Sequence, residues 1–457
     1  VSRRVVVVGA GITGLTVAYR ISHAPVAAEV FVVDTDREPG GVIRSVQVGD
    51  LELEAGPDSF LVGKPWAMDL CYELELEREL VPQGAIASQI LTRRGLLRVP
   101  PGRLGIPASA IGLLRWKGMS VAARLRAMAE PAVPRRRSGA DRSVGQLLRR
   151  RLGRGATNTL VAPLLSGIFA ADIDLLSVDA AFPELARWDR ELGSLRAGAR
   201  ARPTPVRRVP AGPTTPFATI RGGLRRLPDA LAEALGDERL RLGNTVVKLG
   251  REERGPFRVV TTAGDDLPAD SVVLATPAAV SANLLADLAP QASELIRGIR
   301  AASTAIALFA YPKGTNRFLP ETSGFVAPRG MLPITAATAI SKKWPRQAFG
   351  SRAVVRAFVG GAGLEDELDR PDEDILSSAQ EALASVYRLR AAPEHAMLVR
   401  WPGSMPQYAV GHLDLVGAID AALPAGLYVA GGAYRGVGIP DRIREAGAIA
   451  DRVVREG

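Results

Sequence analysis

Apolar residues in this chain fall mainly into short unbroken runs. Val5 to Val8 form one such run, as expected of a central parallel strand covered on both faces. It leads into Gly9-x-Gly11-x-x-Gly14 and then into residues with amphipathic helical spacing. EVFVVD, ending at Asp34, is a second strand run, and LRLGNTVVKLG and SVVLATPAAV read as further strands. Near the C-terminus, Leu427 to Ala430 read as a strand, Gly431-Gly432 as a turn and Gly447 onward as a helix. LELEAGPDSF puts Gly56, Pro57, Asp58 and Ser59 in a loop after a strand. Residues 87–202 read as helical and Arg-rich, and Arg200 to Pro216 as a linker rich in Pro and Arg. From 297 to 405, apolar runs such as TAIALFAY and AVVRAFVGG alternate with loops, which suits a separate sheet over a substrate cavity. No repeat of fixed period appears.

The glycines near the start each have a physical job. Gly9 permits a tight turn, Gly11 lets backbone approach a pyrophosphate, and Gly14 lets the helix pack closely on the strand. The helix N-terminus then offers free N–H groups and a positive dipole end. Asp34 lies twenty positions after Gly14, where a carboxylate meets a ribose hydroxyl of a dinucleotide. An incidental glycine turn would lack the surrounding strands, helix and acid. Gly40-Gly41 and Arg44 follow the second strand closely, where a nicotinamide enzyme would run on into another βα unit. A flavoprotein of the amine-oxidase type instead brings a glycine pair beneath an extended FAD, and the C-terminal strand–Gly–helix segment supplies its second half. The expected fold is therefore α/β, a Rossmann-like FAD-binding domain with a mixed-sheet substrate domain and a helical domain. Its expected FAD-binding segments are 1–86, 203–296 and 406–457, with a helical, membrane-associating part at 87–202 and a substrate-binding part at 297–405.

At 457 residues and 47% hydrophobic, the chain can bury a large core and divide into two or three domains. Cys71 is the only cysteine, which excludes an intrachain disulfide and suits a reducing compartment. No stretch of eighteen residues is apolar and uncharged, and the first strand is expected to leave no room for a signal peptide. The expected location is the cytosol, or the membrane periphery. The net charge of +10 concentrates between Arg115 and Arg154, where twelve basic residues face only Glu130 and Asp141. Such a window can meet anionic lipid or an acidic substrate, or simply be a solvated face. Nucleic acid is disfavoured, because aromatics are 5% and none are interleaved as stacking platforms.

GAGITGLTVAYRI, PGGVIRS, EAGPDSF, LLSGIFAADIDLLSV, IRGGLRRLP, SKKW, MPQYAVGH and YRGVGIPDRI occur in this order over nearly the whole chain. In that order they resemble the protoporphyrinogen oxidase family, including its Gram-positive coproporphyrinogen III oxidase branch. One departure is Arg442, where the family often has cysteine and where no contact with the redox centre is expected. The resemblance implies oxidation of a porphyrinogen in haem biosynthesis, with non-covalent FAD and dioxygen as acceptors and the next haem-pathway enzyme as a partner. It puts Gly9, Ala10, Gly11, Ile12, Thr13 and Gly14 at the pyrophosphate, Asp34 and Thr35 at the ribose, and Gly40, Gly41, Val42 and Arg44 on the ribityl side. Gly56, Pro57, Asp58 and Ser59 would lie near the isoalloxazine, and Val246 near the adenine. Trp401 would line the cofactor, with Val437, Gly438 and Ile439 presenting N–H groups to it. Gly167, Ile168, Phe169 and Ala170 would lie beside the macrocycle, with Arg93, Arg94 and Arg98 as propionate partners. No metal site or acid–base catalyst is implied, because the cofactor carries the hard step. Of the three histidines, His23 falls on the first helix and His395 in a loop, while His412 suits a structural hydrogen bond in its turn. A flavin amine oxidase or desaturase, or a non-catalytic FAD-binding protein, stays open as an alternative.

Overall fold

The computed structural model describes residues 3–135, 139–201, 215–252, 255–344 and 346–456. At its centre lies a five-stranded parallel sheet ordered Leu240–Leu242, Ala28–Asp34, Arg3–Val8, Ser271–Leu274, Leu427–Val429. The middle strand is buried from Val5 to Val8, which is why its sequence is an unbroken valine run. One face carries the helices Ile12–Ser22, Arg226–Leu235 and Ile439–Glu456, whose buried side chains share one core with the sheet. The C-terminal helix buries Ile439, Ile443, Ala446, Ile449, Ala450 and Val453 along one stripe. It starts at Ile439 and not at Gly447 as its sequence suggests. Pro440, which reads as a breaker, is well tolerated in a first helical turn, where its missing N–H costs no hydrogen bond.

The other face is covered by helices Ala278–Leu285 and Pro290–Arg297 and by an antiparallel meander, Val246–Arg251, Phe257–Thr261 and Asp266–Ala269. LRLGNTVVKLG is thus two strands, one in the parallel sheet and one in the meander. Gly243, at φ +70°, lies between them.

A seven-stranded mixed sheet runs His395–Pro406, Ala301–Ala310, Val354–Gly360, Ala336–Ala339, Gly324–Val326, Ser88–Thr92, Gly95–Arg98. Helix Asp372–Tyr387 packs Ile375, Ala379 and Leu383 into the core behind it. The last two strands correct the helical reading of 87–202. Ser88–Thr92 pairs parallel with Gly324–Val326, so this stretch opens as part of the sheet, and its helices start only at Ala110. His395 begins a strand instead of lying in a loop. Phe217–Ile220 pairs with Phe60–Leu61 and Leu80–Pro82, tying the second expected FAD segment to the first. Most of the expected linker, residues 202–214, lies outside the described residues.

Candidate functional site

The carboxyl ends of the parallel strands present a cradle built from two glycine loops. A Cβ on Gly14 would stand 1.9 Å from Gly9 O, and one on Gly9 2.7 Å from Ala275 O, so neither position accepts a side chain. Gly11 differs: a Cβ there would meet nothing within 4 Å, and it caps helix Ile12–Ser22 with no side chain taking up the first-turn N–H groups. Open space above free N–H groups at a helix start fits a pyrophosphate. Gly40 N donates to Ala10 O at 2.9 Å, and Gly41 approaches Gly11 so closely that its Cβ would lie 3.4 Å from the Gly11 Cα.

Asp34 ends its strand beside this cradle. One carboxylate oxygen accepts from Ala10 N and the other from Asp36 N at 2.8 Å. Burial raises its pKa against those two bonds. Thr35 Oγ1 pairs with Thr245 Oγ1 at 3.0 Å, and Val246 is buried in the core at the start of the meander. Arg44 pairs with Asp36 at 3.0 Å and lies over the Trp401 ring, 5.9 Å from its centroid.

Beside the cradle a cavity of about 830 Å³ opens between the parallel-sheet domain, the mixed sheet and the helical part. Ile12, Val42, Gly56, Pro57, Ser59, Val437, Gly438 and Ile439 are in its lining. Gly56 is there because a Cβ would fall 1.8 Å from Val42 O. Trp401 Nε1 donates to Ala55 O at 2.7 Å, and Arg356 donates to Gly56 O at 2.6 Å, so the mixed sheet pins this loop.

Asp58 does not reach the cavity. Its buried carboxylate accepts from Lys343 Nζ at 3.0 and 3.1 Å and from Trp344 Nε1 at 3.0 Å, with Arg356 at 3.2 Å. Burial alone would raise its pKa, but Arg356 and Lys343 outweigh that and hold it far below the usual carboxylate range. SKKW thus supplies the partners of EAGPDSF.

Gly167, Ile168 and Ala170 also line the cavity. Ala170 ends helix Ala162–Phe169 in a left-handed conformation at φ 48°, and its carbonyl accepts from Ala362 N at 2.8 Å. Phe169 turns away, its ring against Phe182 and Tyr408 at 5.5 Å each. Arg93, Arg94 and Arg98 sit on or beside the edge hairpin and do not line the cavity. The arginines that do are Arg149, Arg329, Arg356 and Arg442, with Asp172 and Asp174 as the acids. Arg149 and Asp174 form a two-bonded pair. Arg442 was expected clear of the centre, yet it stands beside Val437 and donates to its carbonyl at 3.1 Å. No spacing signal marks these four in a chain with 58 Lys+Arg.

His412 is buried outside the cavity. Its Nε2 lies 2.9 Å from Tyr434 O and its ring stacks on Tyr408 at 4.0 Å. Burial lowers its pKa. Among the described residues no His/Cys/Asp/Glu cluster could hold a metal ion.

The sequence model of the flavin containing amine oxidoreductases matches residues 12–454. The chain is 33% identical to coproporphyrinogen III oxidase of Bacillus subtilis, covering 98% of this chain and 97% of that protein. It is also 33% identical to the coproporphyrinogen III oxidase of Propionibacterium freudenreichii, over 98% and 90% of the two. A solved structure from Exiguobacterium sp. 255-15, assigned as a protoporphyrinogen oxidase, superposes with a TM-score of 0.86 at 29% identity over the whole of both chains. By fold and by full-length similarity, the chain belongs to the protoporphyrinogen and coproporphyrinogen III oxidase family of flavin containing amine oxidoreductases.

Proposed function

We propose that this protein oxidises coproporphyrinogen III to coproporphyrin III, with FAD as the immediate acceptor and dioxygen as the final one. Six hydrogens leave in three two-electron steps, and three dioxygen molecules become peroxide. The observation that carries this reading is a cavity that reaches Gly56 and also Ile12 and Val42, next in the chain to the cradle glycines Gly11 and Gly41, and has Arg149, Arg329, Arg356 and Arg442 in its lining. FAD, when bound, supplies the two-electron acceptor; the chain supplies position, dryness and charge. Gly9 to Gly14 would hold the pyrophosphate, Asp34 the ribose, Gly40 and Gly41 the ribityl side, and the loop from Gly56 to Ser59 with Val437 to Ile439 the flavin end. Ile12, Ile43, Leu164, Ile168 and Val326 make much of the lining apolar and exclude water.

The charge of the lining favours an acidic substrate. Four arginines against two aspartates suit a tetrapropionate, whereas an amine would enter as a cation and be repelled. Peripheral contact with anionic lipid is part of the reading. Exposed Ile111, Leu114, Val121 and Leu125 lie on two short helices, Ala110–Arg115 and Val121–Met128, with exposed Arg115 ending the first and Lys117 in the turn between them. No helix among the described residues is long and apolar enough to cross a membrane.

Initial rates on coproporphyrinogen III and protoporphyrinogen IX, followed by porphyrin fluorescence, test the function. The expected result is flavin reduction by coproporphyrinogen III under anaerobic conditions and a higher kcat/KM for it. Flavin that an amine reduces and a porphyrinogen does not would overturn the reading.

A further inference from the structure

The mixed-sheet wall of the cavity contains a charged cluster of which the oxidase reading uses only Arg356, as one of four lining cations. Arg356 sits mid-strand in Val354–Gly360, between Val355 and Ala357, and is 4% exposed. One guanidinium nitrogen donates to Gly56 O, another contacts Asp58 at 3.2 Å, and Nε is buried with no hydrogen-bond partner. Asp58 faces two cations, Arg356 and Lys343, while the neighbouring Glu54 pairs with Arg346 at 2.6 Å. By formal charge, with Lys343 protonated, the cluster is one positive charge in excess, although burial lowers the Lys343 pKa. Arg356 is also its only charged member that lines the cavity, beside Gly56, Pro57 and Ser59. A buried cation with an unmet donor is costly unless something it faces uses the charge.

We infer that Arg356 sets the electron affinity of the cofactor: its fixed charge beside the 56–59 loop stabilises the negative charge that arrives there with each hydride. Asp58 and Lys343 are positioning residues that hold the guanidinium at the wall. The inference rests on the reading that places FAD against this loop. In each step a bridge C–H bond of the porphyrinogen breaks and its hydrogen leaves with the bonding pair. FAD, when bound, would supply the two-electron acceptor, and the oxidised substrate would lose a proton to water afterwards. The acceptor thus gains one negative charge while the substrate gains a positive one. A cation fixed in a low-dielectric wall favours the first and costs no reorganisation.

The test uses holoenzyme and three variants, Arg356→Met, Arg356→Lys and Asp58→Asn. The readouts are FAD content, the midpoint potential of bound FAD, and affinity for sulfite, whose flavin adduct is anionic and forms without turnover. Arg356→Met is expected to keep its FAD, to bind sulfite about tenfold more weakly, and to favour reduction about tenfold less, ~30 mV for a two-electron couple. Arg356→Lys should stay near the wild type. Asp58→Asn removes the opposing charge and should move the potential up. An Arg356→Met protein with wild-type potential and sulfite affinity, changed only in melting temperature, would mean the arginine is a brace and nothing more. Should that variant lose its FAD, the other two decide, since a potential unchanged or lowered in Asp58→Asn also overturns the inference. A wild-type protein that retains no FAD would count against the oxidase reading instead.

Discussion

His412 spends its ring on two neighbours, and both serve the C-terminal turn. Tyr408, on which it stacks, donates its hydroxyl to Gly432 O at 2.8 Å and accepts from Gly436 N at 2.6 Å. Together with the bond to Tyr434 O, this braces the stretch that leads into the helix at Ile439. His412→Ala should cost about 1–3 kcal/mol of stability, the penalty for unmade buried hydrogen bonds. Anaerobic flavin reduction should stay within tenfold of wild type, whereas a missing general base costs roughly 10²- to 10⁴-fold. Stopped-flow flavin absorbance separates the two; a folded, FAD-loaded variant a thousandfold slower would reveal a base. Glu445 lies nearby and accepts from Gly431 N at 3.0 Å. Burial pushes its carboxyl up from 4.5 to about 7 despite that bond and the surrounding arginines. The folded state then holds a proton that the unfolded state has lost. The stability it contributes is complete below about pH 4.5 and is lost as pH rises to about 7. Urea unfolding from pH 5 to 8 should show this decline, on the order of 2–3 kcal/mol, flattened in Glu445→Gln. Spacing made the glycines and Asp34 legible as residues, because their jobs are backbone jobs fixed by local geometry. The orientation of Phe169 and the partners of Asp58 were not legible, because both depend on segments far away in the chain.

At the scale of elements, an unbroken apolar run next to a glycine turn names a central strand; the runs read that way do form strands, although LRLGNTVVKLG divides into two. The hairpin Ser88–Thr92 and Gly95–Arg98 escaped because each strand is short and the sheet partner, Gly324–Val326, lies more than two hundred residues away. Its Arg93-Arg94-Gly95 turn reads as helical surface until Gly95, at φ +96°, is seen closing it. Two substitutions test whether elements act as proposed. Gly11→Glu places a carboxylate in the open space above the first helix and should abolish FAD retention while the apoprotein stays folded; flavin absorbance after gel filtration checks this. Full flavin occupancy in that variant would displace the pyrophosphate from the cradle. Gly167→Leu points into the cavity, since a Cβ there meets nothing within 4 Å. It should raise KM for the porphyrinogen and slow flavin reduction at least tenfold, with FAD content unchanged.

For the whole molecule, charge counted along the chain differs from charge presented at the surface. Part of the basic window from Arg115 to Arg154 is answered by acids from outside it. Arg142 and Arg151 pair with Asp189, and Arg149 pairs with Asp174. Arg126 and Arg135 donate to backbone carbonyls, and Arg136 and Arg137 lie outside the described residues. Arg142, Arg149 and Arg151 are therefore internal mortar for the helical part, which linear counting could not reveal. What faces outward with its charge beside apolar side chains is the segment from Ile111 to Leu125, where Arg115 and Lys117 are exposed among Ile111, Leu114 and Leu125. Lipid contact, if charge drives it, belongs to this segment. Arg115→Gln with Lys117→Gln should weaken binding to vesicles rich in anionic lipid by about 2 kcal/mol, roughly thirtyfold, at about 1 kcal/mol per basic residue. Vesicle co-sedimentation at low salt reads this directly, and flavin content should be unchanged because neither residue lines the cavity. Raising the salt should narrow the difference, since exposed charges are screened over about 10 Å at 0.1 M. Wild-type protein that ignores anionic vesicles at low salt would make these two residues an ordinary solvated face.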